Sequence, residues 1–195
     1  MKNYSINKYP DYQHGAEGIN FTSYFSPHSG NQTPEKVLEI IKPNLSINIQ
    51  TVINFGCASG RDFIPFQDDY TCIGFDIAPS EDITWVCKTD NLTYYECSIE
   101  DFLLNIDNFK FDFPNSLVYT QGTLMYVSHE IQNIFVEMLL EKGCNNIILQ
   151  EYEPGNSSHH PYLNLNESNL KLFKKQMFRD RYEGNPTAHL YLQNI

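Results

Sequence analysis

Small residues and one carboxylate lie at the ends of two apolar segments between residues 52 and 76. Asn54 lies near the end of the first segment, a turn bounded by Gly56 and Gly60 follows it, and Asp76 ends the second segment. Asn54 and Asp76 are 22 residues apart (76 − 54 = 22). A strand, a glycine-bounded turn, a helix and a second strand ending in an acid form a nucleoside-binding β-α-β unit, whose carboxylate holds ribose hydroxyls. The spacing therefore predicts a nucleoside ligand.

The glycine pattern of the turn differs from a dinucleotide fingerprint. That fingerprint is G-x-G-x-x-G, and its third glycine allows close packing of helix and strand. Phe63 and Ile64 stand where this glycine would fall, and residues 56–60 read G-x-A-x-G instead. With the sequence G-C-A-S-G-R-D, residues 56–62 resemble the class I S-adenosylmethionine-dependent methyltransferases, in which the first strand runs into G-x-G-x-G and an acid ends the second strand.

The resemblance covers roughly residues 50–153. Residues 96–102 look like the polar turn beside the adenine, 117–127 like the fourth strand with its loop, and 147–151 like the fifth strand. It implies S-adenosyl-L-methionine as cofactor and S-adenosyl-L-homocysteine as product. The cofactor-binding residues that it implies are Asn54, Gly56, Cys57, Ala58, Gly60, Asp76, Ile77, Ser98, Ile99, Gln121 and Gly122.

Three positions depart from the family pattern. Asn54 replaces the acid that is usual at the end of the first strand, and its amide oxygen accepts a hydrogen bond without bringing charge. Ala58 replaces the middle glycine, which is tolerable only if the backbone there does not need a positive φ. Ser98 stands where the family often has an aspartate near the adenine amino group, so that contact falls to backbone groups. The departures at Asn54 and Ala58 keep a non-catalytic binding protein with this fold open as an alternative.

Composition limits the partners and the location. The net charge of −11 argues against a nucleic-acid partner and against an anionic membrane surface, because both require clustered lysine and arginine. No apolar run is long enough for a spanning helix, and the first residues lack an apolar signal core. The five cysteines form no C-x-x-C pair, which predicts reduced, buried thiols in a cytoplasmic protein. No carboxylate spacing indicates a metal site.

Strand and helix signals alternate along the chain. Together with the resemblance they predict an α/β fold: a doubly wound, mostly parallel sheet of about seven strands with helices on both faces and a last strand antiparallel in a closing hairpin. A Thr33 cap followed by Pro34 starts the first predicted helix, and Ser98 and Ser128 cap two more. The predicted strands are 51–55, 71–76, 93–97, 116–120, 146–151, 175–181 and 188–193.

The length of 195 residues suits one domain. We expect residues 1–45 to form an N-terminal lid and helix segment, 50–153 the cofactor-binding core, and 154–195 a C-terminal loop and hairpin. The aromatic content of 14% predicts that large rings fill much of the core.

The residues that face the acceptor are predicted from their place after the fourth and fifth strands. A hydroxyl acceptor needs a base, and histidine is the first candidate near neutral pH. The candidates are His129 after the fourth-strand loop and His159 and His160 after the fifth strand, with Tyr126 as a residue that orients the acceptor. The prediction is methyl transfer to a small molecule, preferably at oxygen.

Five basic residues fall within 11 positions near the end of an acidic chain. They are Lys171, Lys174, Lys175, Arg179 and Arg181. A solvated face explains them, and a local site for an anionic acceptor is the functional alternative. A nicotinamide-dependent oxidoreductase is a second enzyme alternative, disfavoured by the missing third glycine. The oligomeric state is not predicted.

Overall fold

A seven-stranded sheet forms the centre of the computed structural model, which describes residues 48–80, 85, 87–152, 162–177 and 188–193. Its order is β3-β2-β1-β4-β5-β7-β6, and β1 to β5 are parallel. The mostly parallel α/β prediction is therefore confirmed. The strands are β1 (Thr51–Phe55), β2 (Thr71–Asp76), β3 (Leu92–Glu96), β4 (Ser116–Gln121), β5 (Ile147–Tyr152), β6 (Phe173–Met177) and β7 (Ala188–Gln193).

The last two strands close one edge of the sheet. β7 lies between β5 and β6 and runs antiparallel to both. The sequence interpretation set the sixth strand at residues 175–181, whereas it begins at Phe173, whose side chain is buried in the core. Burial of this ring fixes where the strand starts. The remainder of the predicted range, 178–181, lies outside the described residues.

The two faces of the sheet carry separate cores. Alternate side chains of a strand point to opposite faces, so Ile53 and Phe55 belong to the first core and Val52 to the second. On the first face lie α1 (Ile99–Leu104) and α2 (His129–Glu141). They bury Phe102 and Phe135 there, and α3 (Glu167–Leu170) contacts α2.

The second face is covered differently among the described residues. A 3-10 helix at Arg61–Phe63 buries Phe63 in the second core. Helices on both faces were predicted, but the described α-helices all lie on the first face. The predicted helix that follows Thr33 lies outside the described residues. None of the described helices combines the length and apolarity needed to cross a bilayer.

Aromatic rings stack across three neighbouring strands of the first face. Phe55, Phe75 and Tyr95 are opposite one another in register. The ring of Phe75 lies 4.7 Å from that of Phe55 and 5.0 Å from that of Tyr95, with interplanar angles of 9° and 16°. Such ring pairs add about 0.5–1.5 kcal/mol beyond their burial. Since Phe55 precedes Gly56 and Phe75 precedes Asp76, the stack fixes the strand ends from which the predicted site begins.

Amide side chains attach residues 162–169 to α2. Gln132 is fully buried, and its Nε2 donates to the carbonyls of Leu124 at 2.9 Å and Tyr162 at 3.1 Å. Its Oε1 accepts from the backbone N–H of Asn164 at 2.7 Å.

The predicted caps of α1 and α2 are confirmed, because Ser98 Oγ accepts from Asp101 N and Ser128 Oγ accepts from Ile131 N.

All five cysteines are buried and unpaired. Burial raises the pKa of each thiol, to about 12 for Cys72 and Cys97 and to about 11 for Cys144. High thiol pKa values make these side chains poor nucleophiles. The prediction of buried thiols is confirmed, and they act as small apolar residues of the two cores.

Candidate functional site

The topological switch point of the sheet lies between β1 and β4. The chain continues from β1 to β2 on one side, and β4 pairs with β1 on the other. In open α/β sheets ligands bind outside the carboxyl ends of the strands at such a point. Two segments leave the sheet here: the glycine loop (residues 56–60) after β1 and the β4 loop (residues 122–126) after β4. They bring the two main groups of predicted site residues together.

Asp76 connects the end of β2 to the glycine loop. Its Oδ2 accepts from the backbone N–H of Ala58 at 2.8 Å, and its Oδ1 accepts from that of Ala78 at 3.1 Å. Burial raises the pKa of Asp76, while the backbone N–H groups of Ala58, Ala78 and Ile77 act in the opposite direction. The side chain is half-buried. An ionised carboxylate has about four acceptor positions, so Asp76 keeps capacity for ligand hydroxyls.

The glycine loop carries backbone strain at Ala58. Its φ is +45°, in the left-handed region that costs a residue with a Cβ about 1–2 kcal/mol. The condition under which alanine would be tolerated without strain, a backbone that does not need a positive φ, is therefore not met. The hydrogen bond from Ala58 N to Asp76 helps to hold this conformation.

Gly56 is required by its contact with the β4 loop. Its φ is +74°, and a Cβ there would lie 1.9 Å from Thr123 Oγ1 and 2.8 Å from Thr123 Cβ. The glycine loop and the β4 loop thus touch through these two residues. Gly122, next in the β4 loop, has a φ of +60° and open space around the position of a Cβ. The open side of the β4 loop is therefore at Gly122.

A chain of polar side chains runs beneath both loops on the second face. Asn54 Nδ2 donates to Asp62 Oδ2 at 3.3 Å. With its amide nitrogen turned toward acceptors, Gln121 donates to Asp62 Oδ1 at 2.9 Å and to Tyr119 Oη at 3.0 Å. Tyr119 Oη donates to Gln150 Oε1 at 2.9 Å. The ends of β1, β4 and β5 are joined by this chain.

Asn54 keeps an unsatisfied acceptor within this polar chain. Its side chain is fully buried, and its Oδ1 has no hydrogen-bond partner among the described residues. A buried acceptor without a partner costs about 1–3 kcal/mol. An atom of this kind at a switch point is suited to a donor that a ligand brings.

Glu151 holds the β4 loop from the first face. It is fully buried near the end of β5, and its Oε1 accepts from Thr120 Oγ1 at 2.8 Å and from the backbone N–H groups of Thr123 at 3.2 Å and Leu124 at 3.1 Å. Its Oε2 accepts from Met125 N at 3.4 Å. Burial raises the pKa of Glu151 to about 7, and these hydrogen bonds act in the opposite direction. Glu151 is a positioning residue for the β4 loop.

The residues predicted around the adenine differ in their surroundings. Ile77 is half-buried and belongs to neither core cluster. Ile99 is buried in the first core, and the Ser98 hydroxyl is engaged in the cap of α1 and donates to Asp101 Oδ2 at 3.0 Å. Cys57 packs in the second core, and its backbone N–H donates to Phe75 O. Of this set, Ile77 is the apolar side chain that could pack on an adenine ring, because it is not taken up by either core.

The acceptor-side candidates are only partly within the described residues. His129 is exposed at the start of α2, and its Nδ1 lies 3.0 Å from Asn164 Nδ2. Since the amide nitrogen is a donor, Nδ1 is the accepting nitrogen and is already engaged. Tyr126, 40% exposed, ends a 3-10 helix in the β4 loop. His159 and His160 lie outside the described residues.

Two basic residues near the end of the chain lie away from the switch point. Lys174 and Lys175 are exposed on β6, the outermost strand, with β7 and β5 between it and β4. Arg179 and Arg181 lie outside the described residues.

Among the described residues, no group of three histidine, cysteine, aspartate or glutamate side chains could hold a metal ion.

Sequence interpretation missed two carboxylates of the site. Asp62 belongs to the G-C-A-S-G-R-D segment that carries the resemblance, and Glu151 ends the segment that resembles the fifth strand, but the sequence alone predicts no site role for either. The available signal for Glu151 was an acid at the end of an otherwise apolar strand, since residues 147–149 are Ile-Ile-Leu. A charge at such a position must find partners when the strand is buried.

No protein-family model and no curated protein matches the sequence. Solved structures do match the fold. Magnesium protoporphyrin IX methyltransferase from Synechocystis PCC 6803 with bound SAM has a TM-score of 0.56 and 14% identity, over 84% of this chain and 79% of that chain.

Two further structures match over similar shares of the chain. Burkholderia thailandensis 1,6-didemethyltoxoflavin-N1-methyltransferase with S-adenosylhomocysteine has a TM-score of 0.57 and 11% identity, over 88% of this chain and 81% of that one. N-methyltransferase NodS from Bradyrhizobium japonicum WM9 with S-adenosylhomocysteine has a TM-score of 0.57 and 9% identity, over 83% of this chain and 85% of that chain. The chain therefore has the fold of the class I S-adenosylmethionine-dependent methyltransferases.

Proposed function

We propose that this protein is an S-adenosylmethionine-dependent methyltransferase that acts on a small-molecule acceptor. The observation that carries the proposal is the half-buried carboxylate of Asp76, which ends β2 beside the switch point and is fixed by backbone amides. The sequence of residues 56–62 supports the same ligand. So does the fold, because solved structures that share it were crystallised with SAM or S-adenosylhomocysteine.

The residues at the switch point fit the parts of this cofactor. Asp76 is proposed to accept hydrogen bonds from the ribose hydroxyls, and Ile77 to pack on the adenine, because it is half-buried outside both cores. The backbone next to Ser98 is proposed to contact the adenine edge, since the serine hydroxyl is engaged in a cap. Gly122 leaves open space at the end of β4 for the methionine arm. Asn54 Oδ1 is a buried acceptor for a donor on that arm.

The chain's own contribution to methyl transfer is alignment and exclusion of water. When bound, S-adenosylmethionine supplies a methyl group that is already activated toward nucleophiles. The β4 loop, held by Glu151, is proposed to present Tyr126 to the acceptor and so to fix its direction of approach. An oxygen acceptor also needs a base.

His159 and His160, which follow β5 in the sequence, are the proposed candidates for this base. His129 is the weaker candidate, since its Nδ1 is engaged by Asn164. Oxygen is the proposed acceptor atom, and an acceptor screen should include amines, because two of the matching structures are named N-methyltransferases.

Location and acceptor charge are secondary proposals. Five unpaired, buried thiols fit the reducing environment of the cytoplasm. An anionic acceptor would use Lys171 and the basic residues that follow it, although Lys174 and Lys175 lie on the outermost strand.

Calorimetric titration with S-adenosylhomocysteine tests the proposed function. We expect micromolar binding to the native chain and a loss of at least about tenfold in Asp76→Ala, about 1.4 kcal/mol. Asp68→Ala, which removes an exposed acid in the turn before β2, is the matched control and should bind like the native chain.

The same titration separates the alternatives. Tighter binding of NAD than of S-adenosylhomocysteine would indicate an oxidoreductase. If a folded native chain binds neither compound, the proposal is overturned and a scaffold that has lost its ligand is favoured. Binding without turnover across a broad acceptor screen would indicate a non-catalytic binding protein.

A further inference from the structure

The carboxylate of Asp62 lies between the ends of β1 and β4. It accepts from Asn54 Nδ2 at 3.3 Å and from Gln121 Nε2 at 2.9 Å. Asn54 is the fourth residue of β1 and Gln121 is the last residue of β4. Since these are the two strands on either side of the switch point, an acid from the 3-10 helix after the glycine loop reaches the place where the ligand is expected.

Amide groups of the polar chain contact this carboxylate and help to orient it. Gln121 is itself held by Tyr119, whose hydroxyl is anchored on Gln150. The polar chain beneath the two loops therefore holds this carboxylate at a defined position.

Two carboxylates influence the glycine loop. Both Asp76 and Asp62 raise the pKa of Cys57, and burial of the thiol is the larger cause. Asp76 is engaged by the amides of Ala58 and Ala78 on the side of β2. Asp62 lies on the other side, toward β4. The two ends of an extended ligand across the switch point would thus meet different acids.

Position 54 itself lacks the charge that such a ligand needs. Methyltransferases that the sequence resembles have an acid there, and this chain has a buried asparagine whose Oδ1 has no partner among the described residues. A cationic donor placed against Asn54 Oδ1 and the Asp62 carboxylate would satisfy the orphan acceptor and find a countercharge. An ammonium group has both properties, with three donors and a positive charge.

We infer that Asp62, and not the residue at the end of β1, supplies the carboxylate that binds the ammonium group of the cofactor's methionine arm, with Asn54 Oδ1 as a second acceptor. This inference rests on the proposed function, because it concerns the same ligand. It assigns the two ends of the cofactor to different acids: the ribose to Asp76 and the ammonium group to Asp62.

Two probes that differ in the amino-acid arm test the assignment. S-adenosylhomocysteine carries the ammonium group, whereas 5′-methylthioadenosine retains the adenine and ribose and lacks the amino-acid arm. In Asp62→Asn, we expect calorimetric titration to show at least about tenfold weaker binding of S-adenosylhomocysteine. Binding of 5′-methylthioadenosine should stay within about twofold of the native value. Asp76→Ala should weaken the binding of both probes.

A charge swap provides the rescue. The double variant Asn54→Asp/Asp62→Asn returns the carboxylate to position 54 and keeps an amide and an acid in contact. We expect it to recover most of the lost affinity for S-adenosylhomocysteine. Circular dichroism of each variant establishes that it is folded before its titration is interpreted.

The outcomes separate this inference from the proposed function. If the native chain binds both probes and Asp62→Asn binds S-adenosylhomocysteine as tightly, or loses affinity for both probes equally, Asp62 does not bind the ammonium group. Failure of the folded double variant to recover affinity would also overturn the inference, because the effect would then come from loop packing. If the native chain binds neither probe, the proposed function and the inference both fall.

Discussion

Two acids occupy equivalent places on either side of the central strands β1 and β4. Asp76 ends β2 and accepts from the loop that follows the neighbouring β1, while Glu151 lies near the end of β5 and accepts from the loop that follows the neighbouring β4. Their burial differs. Asp76 is half-buried, whereas Glu151 is fully buried and takes four hydrogen bonds from the protein.

The difference in burial separates a ligand-binding role from a positioning role. Asp76 is half-buried and keeps acceptor capacity beyond its two backbone hydrogen bonds, so it can serve a ligand as well as its loop. Glu151 has its capacity taken by Thr120 and the β4 loop, so it serves the loop alone. The same arrangement of strand, acid and loop thus has two uses, and exposure of the carboxylate decides between them.

Alanine substitutions should distinguish the two acids most strongly in stability. Glu151→Ala removes the acceptor of four hydrogen bonds, two of them buried, and leaves a cavity, so we expect a loss of about 3 kcal/mol in the free energy of unfolding. Asp76→Ala should cost about 1 kcal/mol, because water can reach the amides that it frees. Urea unfolding at pH 6 measures both values.

Glu151→Gln is the control for this pair, because it keeps the volume and one acceptor oxygen. It should be clearly more stable than Glu151→Ala. An Asp76→Ala variant that is less stable than Glu151→Ala would contradict the division of roles, since the half-buried acid would then be the main support.

The pH dependence of stability should differ as well. The pKa of Glu151 is about 7 in the folded chain and near 4.5 ordinarily. Below about pH 4.5 the group is protonated in both states and its favourable contribution is fully present. Between about pH 4.5 and 7 the unfolded chain releases the proton first, so stability falls by up to about 3 kcal/mol and then levels off.

Urea unfolding of the native chain and Glu151→Gln at pH 5 and pH 7.5 checks this expectation. The difference in stability between the two proteins should shift in favour of the glutamine variant as the pH rises. A difference that is the same at both pH values would mean that Glu151 titrates normally and that burial does not set its behaviour.

Ala58→Gly should have the smallest effect and the opposite sign. Glycine removes the strain of a φ of +45° but adds freedom to the unfolded chain, so we expect a gain of up to about 1 kcal/mol. Ala78→Gly is the matched control, because Ala78 also donates to Asp76 and is not among the described residues with a positive φ. Ala78→Gly should lose stability when both variants are compared by urea unfolding. A loss in Ala58→Gly would show that the loop is not strained.

The parallel strands could be predicted from the sequence because each is a short apolar run between turn residues. β1 and β2 have the predicted bounds, and β4 and β5 differ from them by one residue. The caps at Ser98 and Ser128 were also predictable, since a cap depends on residues three positions apart. The predicted start of β6 was two residues too late, because the burial of Phe173 depends on contacts that the chain makes only when it is folded.

The site was predictable where it follows a local motif and not where it depends on contacts across the sheet. Asp76 was found from its spacing to the glycine loop. Glu151 reaches the β4 loop across 26 to 28 residues of sequence, and Asp62 meets Gln121 across the switch point. Whether position 58 needs a positive φ was left open by the sequence, and the structure shows that it has one.

The contact between Gly56 and Thr123 makes the two halves of the crevice a single mechanical unit. No room exists for a Cβ between them, so a displacement of one loop must be accommodated by the other. Redesign of the acceptor side by exchanging the β4 loop would therefore have to preserve the size of the side chain at position 123. A larger residue there would push on the turn that is proposed to hold the nucleoside, and a change of substrate preference would then be coupled to cofactor affinity.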